Sequence, residues 1–471
     1  MVQISSRCGT FSGSKSNDKI DEFLGIQYAR AGRFQAPIDI EKYDGVVEAK
    51  SFGAQSPQVP GFMEEILNTK EIPISEDCLY LNIWKPSVVK TPLPVLFWIH
   101  GGAFTNGTAA TSWYHGANLA QLGEVIVVSI NYRLGPFGFL EENNLGLLDQ
   151  ISALRWVNRN IESFGGDSDN VTIFGESAGG SSVVALTASP MTRGLINKAW
   201  AMSPSLLQLR SPTEAKDAMS AFLDVAHVGS LNELATLSMQ QIIDATAQLF
   251  VNVDNYISTF SPTRGGSGLP EDVYEASAKS NVPLIVGTNR DENRLWAVLN
   301  PQPIDEAGAS RYFEKAFASS AEGAWATYSQ LAPNASPVQL VSAMQTDQSF
   351  RVPAWQLCDI RSKRGAETWM YWFTWPTPIF DGVLGCCHAL DLPFMFSNLD
   401  KPNVELFTGT SPVRSKISTH FTDELLSFAK TGKVSWPTYN TSDRKTLRID
   451  EDVEVLTNPE PVIRKLWNLN S

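Results

Sequence analysis

Val171-Thr172-Ile173-Phe174-Gly175-Glu176-Ser177-Ala178-Gly179-Gly180 changes character at its centre, from an apolar, β-branched run to a cluster of small residues. Val171 to Gly175 reads as a buried strand, and the small residues after Ser177 are compatible with a helix. Gly175 to Gly179 fits G-x-S-x-G at the place where that pattern has mechanical meaning, directly after a strand and before a helix. A sharp turn there lifts a serine hydroxyl above a sheet, and small side chains at 175, 178 and 179 let strand and helix approach closely. Ser177 is therefore the candidate nucleophile. The bland alternative, an ordinary turn, leaves its position between strand and helix unexplained.

Outward from this stretch the same alternation recurs. Leu93 to Ile99, Val125 to Asn131, Asn197 to Ser203 and Pro283 to Gly287 read as strands buried on both faces, and Thr368 to Trp375 as a late one. Leu148, Ile151, Leu154 and Val157 mark one face of a helix; Ile417, Phe421, Leu425 and Phe428 mark another that stops at Gly432. The expectation is an α/β protein: a large, mostly parallel central sheet flanked by helices, in one domain over 1–471. A mainly helical insertion, roughly 211–260, would form a lid or side layer. Ser261 to Gly268 is a loop, and no internal repeat is present.

A second motif closes a strand in the same way. His100-Gly101-Gly102-Ala103-Phe104 follows the run ending at Ile99, as the oxyanion loop of lipase-type α/β-hydrolases does. The backbone amides of Gly102, Ala103 and Ala178 are the candidate oxyanion hole, Ala178 because its N–H opens a helix, where unpaired donors and the dipole favour an anion. A serine needs a base, and the α/β-hydrolase order is serine, acid, histidine. His100, His115 and His227 precede any suitable acid, which leaves His388, in a loop after the late strand, and His420, inside the C-terminal helix. His388 is the better base, since a helical histidine more often packs or faces solvent. The acid should follow the strand Pro283 to Gly287, which leads to Asp291 and Glu292, either of which would serve.

Composition excludes other classes. The formal charge of −13 without a basic block argues against nucleic acid or an anionic membrane as partner. No run reaches the roughly 20 apolar residues that span a bilayer. Met1 to Arg7 lacks the pattern of a secretory signal, so a cytoplasmic location is expected. The five cysteines (Cys8, Cys78, Cys358, Cys386, Cys387) form no CxxC pair, and Cys386-Cys387-His388 lacks zinc-ligand spacing, so neither a disulfide framework nor a metal is expected. Nothing calls for a cofactor.

Further stretches carry a family resemblance: Phe164-Gly165-Gly166 on to Gly179, Glu76-Asp77-Cys78-Leu79-Tyr80-Leu81-Asn82-Ile83-Trp84, Asn131-Tyr132-Arg133 and Leu145-Gly146-Leu147-Leu148-Asp149-Gln150. With them the chain resembles, over nearly its whole length, the type-B carboxylesterases, the cholinesterase-like family, and within it the bacterial para-nitrobenzyl esterases. The resemblance implies Ser177 as nucleophile, Glu292 rather than Asp291 as acid, His388 as base, and Gly102, Ala103 and Ala178 as oxyanion hole. It also implies a buried Arg33–Glu76 ion pair and a supporting hydroxyl at Ser203.

Departures from that pattern are visible. Asn293 and Ala389 stand where the family has glycine; Ser203-Pro204-Ser205 and Thr263-Arg264-Gly265-Gly266 replace the usual Ser-Gly and Asp-Gly. Ser56 replaces the cysteine that secreted relatives pair with the Cys78 position, which agrees with a reducing compartment. Between Ser56 and Cys78 the only aromatic residue is Phe62, so the tryptophan with which cholinesterases hold quaternary ammonium is missing and choline esters are not expected substrates. Phe104, Leu206, Leu207, Leu295 and Trp296 are candidate substrate-pocket residues, or else ordinary core. The expected activity is hydrolysis of carboxylic esters, short- to medium-chain acyl or aryl, through an acyl-enzyme, rising with pH through a histidine near roughly 6.5. The alternatives are a non-catalytic binding module of the same fold, which would have lost the nucleophile, and an amidase or lipase, which pocket walls would decide.

Overall fold

Successive residues of Leu93–Ile99 enter different cores: Val95, Phe97 and Ile99 pack on one side of a sheet, Leu96 and Trp98 on the other. The two-residue period puts neighbouring side chains on opposite faces, and an apolar residue at every position means that both faces are covered. The same split holds for Ala199 and Ala201 against Trp200 and Met202, and for Leu284 and Val286 against Ile285. The structure, a computed structural model, describes residues 2–59, 61, 72–252, 259–299 and 304–469.

The main strands, in chain order, are β1 Val2–Ser5, β2 Thr10–Lys15, β3 Ile20–Gln27, β4 Tyr80–Pro86, β5 Leu93–Ile99, β6 Ile126–Ile130, β7 Gly166–Glu176, β8 Lys198–Met202, β9 Leu284–Asn289, β10 Thr368–Phe373, β11 Thr446–Ile449 and β12 Val453–Leu456. Across the sheet they run β1-β2-β3-β4-β6-β5-β7-β8-β9-β10-β11-β12. From β6 to β11 every neighbouring pair is parallel; β1 to β4 at one side and β12 at the other join antiparallel. All six strands expected from the sequence are present. The antiparallel flank of β1 to β4 was not anticipated.

Helix α1 (Leu145–Asn160), α2 (Ala178–Ala188) and α3 (Val352–Lys363) cover one face, and α4 (Val413–Thr431) covers the other with Ile417, Phe421, Leu425 and Phe428. Gly432 ends α4 in the left-handed conformation (φ 70°), its N–H bonded to the Phe428 carbonyl at 2.8 Å. Between β8 and β9 the chain runs through helices Pro212–Val225, Leu231–Leu234 and Met239–Asn252, the first started by a capping box of Ser211 and Glu214. Helices Glu306–Phe317, Ala321–Leu331 and Pro337–Thr346, which the sequence reading left unassigned, precede α3.

Two of the resembling motifs meet in the interior. Arg133 donates to Asp149 from Nε (2.8 Å) and from NH2 (2.7 Å), and the Arg133 backbone N–H bonds the same carboxylate at 3.1 Å. Its remaining guanidinium nitrogen reaches the Gln35 carbonyl at 2.7 Å, and both residues are buried. This pair ties the end of the β6 segment to α1. Replacing one partner strands a buried charge, so Arg133→Met is expected to lower stability by about 3–5 kcal/mol, read from the urea midpoint of unfolding. Arg33 and Glu76 are also paired, Nε to Oε2 at 2.8 Å, but their side chains are 19% and 29% exposed, so this ion pair is half-buried rather than buried. Arg33 additionally donates to the carbonyls of exposed Ala235 and half-buried Leu237, so the pair packs against a surface segment and not against the core. Phe62 lies outside the described residues.

Candidate active site

Parallel strands deliver their C-terminal ends to one edge of the sheet, and here those ends carry every residue singled out for chemistry. Strand β5 leads into His100-Gly101-Gly102-Ala103, β7 into Ser177, β9 into Glu292 and β10 into the loop holding His388. Gly175 is in register with Ile99 of β5 and Ala201 of β8, so the turn after it stands at the middle of the sheet.

Ser177 adopts φ 57° and ψ −119° between β7 and α2, a backbone strained for a residue with a side chain. The strain is held by packing. A Cβ on Gly175 would come within 2.6 Å of the Gly179 backbone, and one on Gly179 would collide with the Ile99 carbonyl. The Ser177 N–H bonds the Met202 carbonyl at 3.0 Å, and its own carbonyl accepts the Ser181 N–H at 2.8 Å. Ala178 is the first residue of α2, so its N–H has no intrahelical acceptor. Gly102, Ala103 and Phe104 follow one another at φ 109°, 52° and 61°. Among the described residues the Gly102 and Ala103 amides meet no acceptor, while the Gly102 carbonyl anchors the loop by accepting the Thr105 and Asn106 N–H groups.

The histidine and the acid are in contact. His388 Nδ1 lies 2.7 Å from Glu292 Oε2, and Glu292 Oε1 accepts the Asn289 N–H at 2.7 Å; Glu292 is fully buried and His388 nearly so. Asp291 takes no part in that bond and points instead to the backbone before His388. His420 sits in α4.

On the other side of the imidazole the structure departs from expectation. Nε2 stands 3.0 Å from Glu176 Oε1, although not in hydrogen-bond alignment, so the carboxylate beside the nucleophile is what faces the ring's free nitrogen. Burial pushes the Glu176 carboxyl well above the usual carboxylate range, against the pull of His388. Burial would push His388 down, but Glu176 and Glu292 outweigh it and hold the imidazole above its ordinary value. Both shifts mean that a proton between Nε2 and Oε1 is kept to higher pH than the histidine alone would keep it. A third buried carboxyl, Asp391, is raised to about 7 by its own burial and by Glu292, and it accepts the Tyr371 hydroxyl at 3.3 Å.

The candidate pocket residues part company. Trp296 lies against His388 (ring centroids 4.9 Å), as does Phe350 (4.8 Å), and the two aromatic rings stack on each other at 5.9 Å. Phe104 is buried against Phe139, Leu206 and Leu295 are buried, and Leu207 is 58% exposed. Ser203 is buried, its N–H on the Gly287 carbonyl at 2.8 Å and its hydroxyl without a partner among the described residues. Sequence reasoning missed Glu176, Phe350 and Asp391. Only Glu176 carried a signal, a carboxylate in the variable position of a motif flanked by buried strand.

A mostly parallel sheet whose central strand ends in an elbow serine is the architecture of the α/β-hydrolases. A family model described as the carboxylesterase family matches residues 1–463. The para-nitrobenzyl esterase of Bacillus subtilis (strain 168) is 36% identical over 97% of this chain and 96% of its own length. Among solved structures, a thermophilic PNB esterase superposes with a TM-score of 0.88 at 33% identity, covering 98% of this chain and 99% of that one. The carboxylesterase EST55 of Geobacillus stearothermophilus does so with 0.87 at 34%, covering 99% and 100%. The chain belongs to the carboxylesterase family. It is a serine carboxylesterase, an enzyme that hydrolyses carboxylic esters.

Proposed function

We propose that Ser177, His388 and Glu292 carry out the hydrolysis, with the Gly102, Ala103 and Ala178 amides as the oxyanion hole. The observation behind this reading is the 2.7 Å contact between His388 Nδ1 and Glu292 at the rim of the elbow that presents Ser177. Glu292 fixes the imidazole with its proton on Nδ1, leaving Nε2 to accept. Nε2 takes the Ser177 proton as Oγ attacks the ester carbonyl; the amides stabilise the oxyanion; the imidazolium then protonates the leaving alcohol. Water, activated by the same nitrogen, releases the acid from the acyl-enzyme.

In the structure Nε2 faces Glu176, so a turn of the Ser177 side chain or of the imidazole brings the hydroxyl and the base together before the proton is passed. The acid limb of kcat/KM is therefore expected above the roughly 6.5 of a free histidine. A nearby carboxylate favours the protonated imidazole, so Glu176→Gln should lower the histidine's pKa and move that limb to lower pH by about one unit. A limb that stays put or moves up would contradict the assignment.

Short- to medium-chain acyl or aryl esters are the proposed substrates, since half-buried Trp296 and buried Phe350 beside His388 offer a limited apolar wall. Hydrolysis of a p-nitrophenyl ester series from acetate to palmitate should peak at the short to middle lengths. A maximum at the longest chains, rising sharply once the ester forms aggregates, would make the enzyme a lipase. No helix among the described residues is long and apolar enough to cross a membrane. A cytoplasmic location is proposed on the five free, buried cysteines, with Ser56 donating no sulfur to Cys78.

A further inference from the structure

We propose that Asp291 positions the acid against the base: its carboxylate fastens the Glu292 turn to the His388 loop. This rests on the reading of Glu292 and His388 given above. The two loops leave neighbouring strands β9 and β10, and their key residues are 96 positions apart in the chain. Two reciprocal bonds close the gap between them. The Asp291 N–H donates to the Cys386 carbonyl at 2.9 Å, and the Cys386 N–H donates to Asp291 Oδ2 at 2.9 Å. Asn289 adds a bond from Nδ2 to the Cys387 carbonyl at 2.8 Å, and the His388 N–H reaches the Glu292 carbonyl at 3.3 Å.

The His388 loop is shaped to admit this carboxylate. Gly385 holds φ 60°, and a Cβ there would collide with Asp291 Oδ2. Asp291 also has cationic neighbours, Arg290 Nε at 2.9 Å from Oδ2 and Arg294 at 3.4 Å from Oδ1. Both arginines belong to the Asp291 turn itself, so pairing with them does not join the two loops. The bonds to Cys386 do. The positioning role therefore resides in where the oxygen stands, and the charge serves only to orient it.

That distinction is testable. Asp291→Asn keeps an oxygen at the Oδ2 position and removes the charge, whereas Asp291→Glu keeps the charge and moves the oxygen. Each is compared with the parent enzyme, Asp291→Ala and Glu292→Gln for kcat and KM on p-nitrophenyl acetate, for Tm, and for the far-downfield proton resonance of His388 Nδ1. Misplacing reacting groups by about 1 Å costs on the order of 100-fold, so Asp291→Glu and Asp291→Ala should lose about 10- to 100-fold in kcat with KM changed less than about threefold. Their Nδ1 resonance should broaden or vanish, and Asp291→Asn should stay within about threefold of the parent. The Asn and Glu variants carry the comparison if Asp291→Ala does not fold. Asp291→Glu active with Asp291→Asn impaired would reduce Asp291 to an ion-pair residue and overturn the proposal. If Glu292→Gln is inactive while the Asp291 series is flat, the proposal alone falls; if Glu292→Gln is fully active, the acid assignment falls and takes the proposal with it.

Discussion

Ser177→Ala is expected to lower kcat/KM by about 10,000-fold or more on every ester substrate while leaving Tm within a few degrees of the parent. The size follows from the chemistry, since without the hydroxyl no acyl-enzyme can form and only transition-state binding by the amide donors remains. The silence of the fold follows from the structure. The elbow is held by backbone bonds from Ser177 to Met202 and Ser181, which alanine retains. Alanine also has the same difficulty as serine with φ 57°, so no strain is added or relieved. Initial-rate kinetics and thermal unfolding on the same preparation check both halves. A variant with more than about a hundredth of parental activity would mean another nucleophile.

Glu292→Gln should be nearly as severe, a loss of about 10,000-fold in kcat, for a reason visible in the hydrogen bonds. Glu292 Oε1 accepts the Asn289 N–H at 2.7 Å, and Oε2 faces His388 Nδ1 at 2.7 Å. A glutamine in that slot must place its oxygen on the Asn289 N–H, since an NH2 there would face a donor. Its NH2 then points at Nδ1 and forces the imidazole proton onto Nε2. The base is thereby lost without any change of shape. Asp291→Asn, one residue earlier, should lack this effect, which separates the two adjacent carboxylates that the sequence left side by side. A loss smaller than tenfold for Glu292→Gln would contradict the assigned tautomer.

How much of this was legible before the structure depends on how strongly each residue's surroundings were written into a pattern. The strands from Leu93–Ile99 to Thr368–Phe373 could be read because each carries a nearly unbroken apolar run, as burial on both faces requires. The antiparallel flank could not: Ile20–Gln27 mixes buried and half-buried positions, interrupted by Gly25 at φ 74°, and gives no clean alternation. Helices Glu306–Phe317 and Ala321–Leu331 bury only Ala309 and Phe313, Ala324 and Tyr328 respectively, too few to mark an apolar stripe.

For the site, motif and chain order singled out Ser177, His388 and the acid loop, and the folded chain puts His388 in contact with Glu292. The direction of a side chain was beyond them. Leu206 and Leu207 are adjacent in a single 3₁₀ turn, Leu206–Gln208, so they cannot face the same way, and one is buried while the other is exposed. Trp296 could be read as either pocket wall or core, and its ring lies on the imidazole of His388. Glu176 occupies a position that the motif leaves free, and only the folded chain brings its carboxyl to Nε2. The distinct contacts of Asp291 and Glu292, one on the Cys386 backbone and one on the His388 ring, are made with a loop almost a hundred residues away.

Reaction with a fluorophosphonate probe, followed by peptide mapping of the phosphonylated residue, tests the central claim most directly. Only a serine made nucleophilic by a neighbouring base reacts quickly with such a probe. A single adduct on the peptide containing Ser177, formed by the parent enzyme and absent from His388→Ala, is the predicted result. An adduct on a different serine, or undiminished labelling of Ser177 without His388, would contradict it.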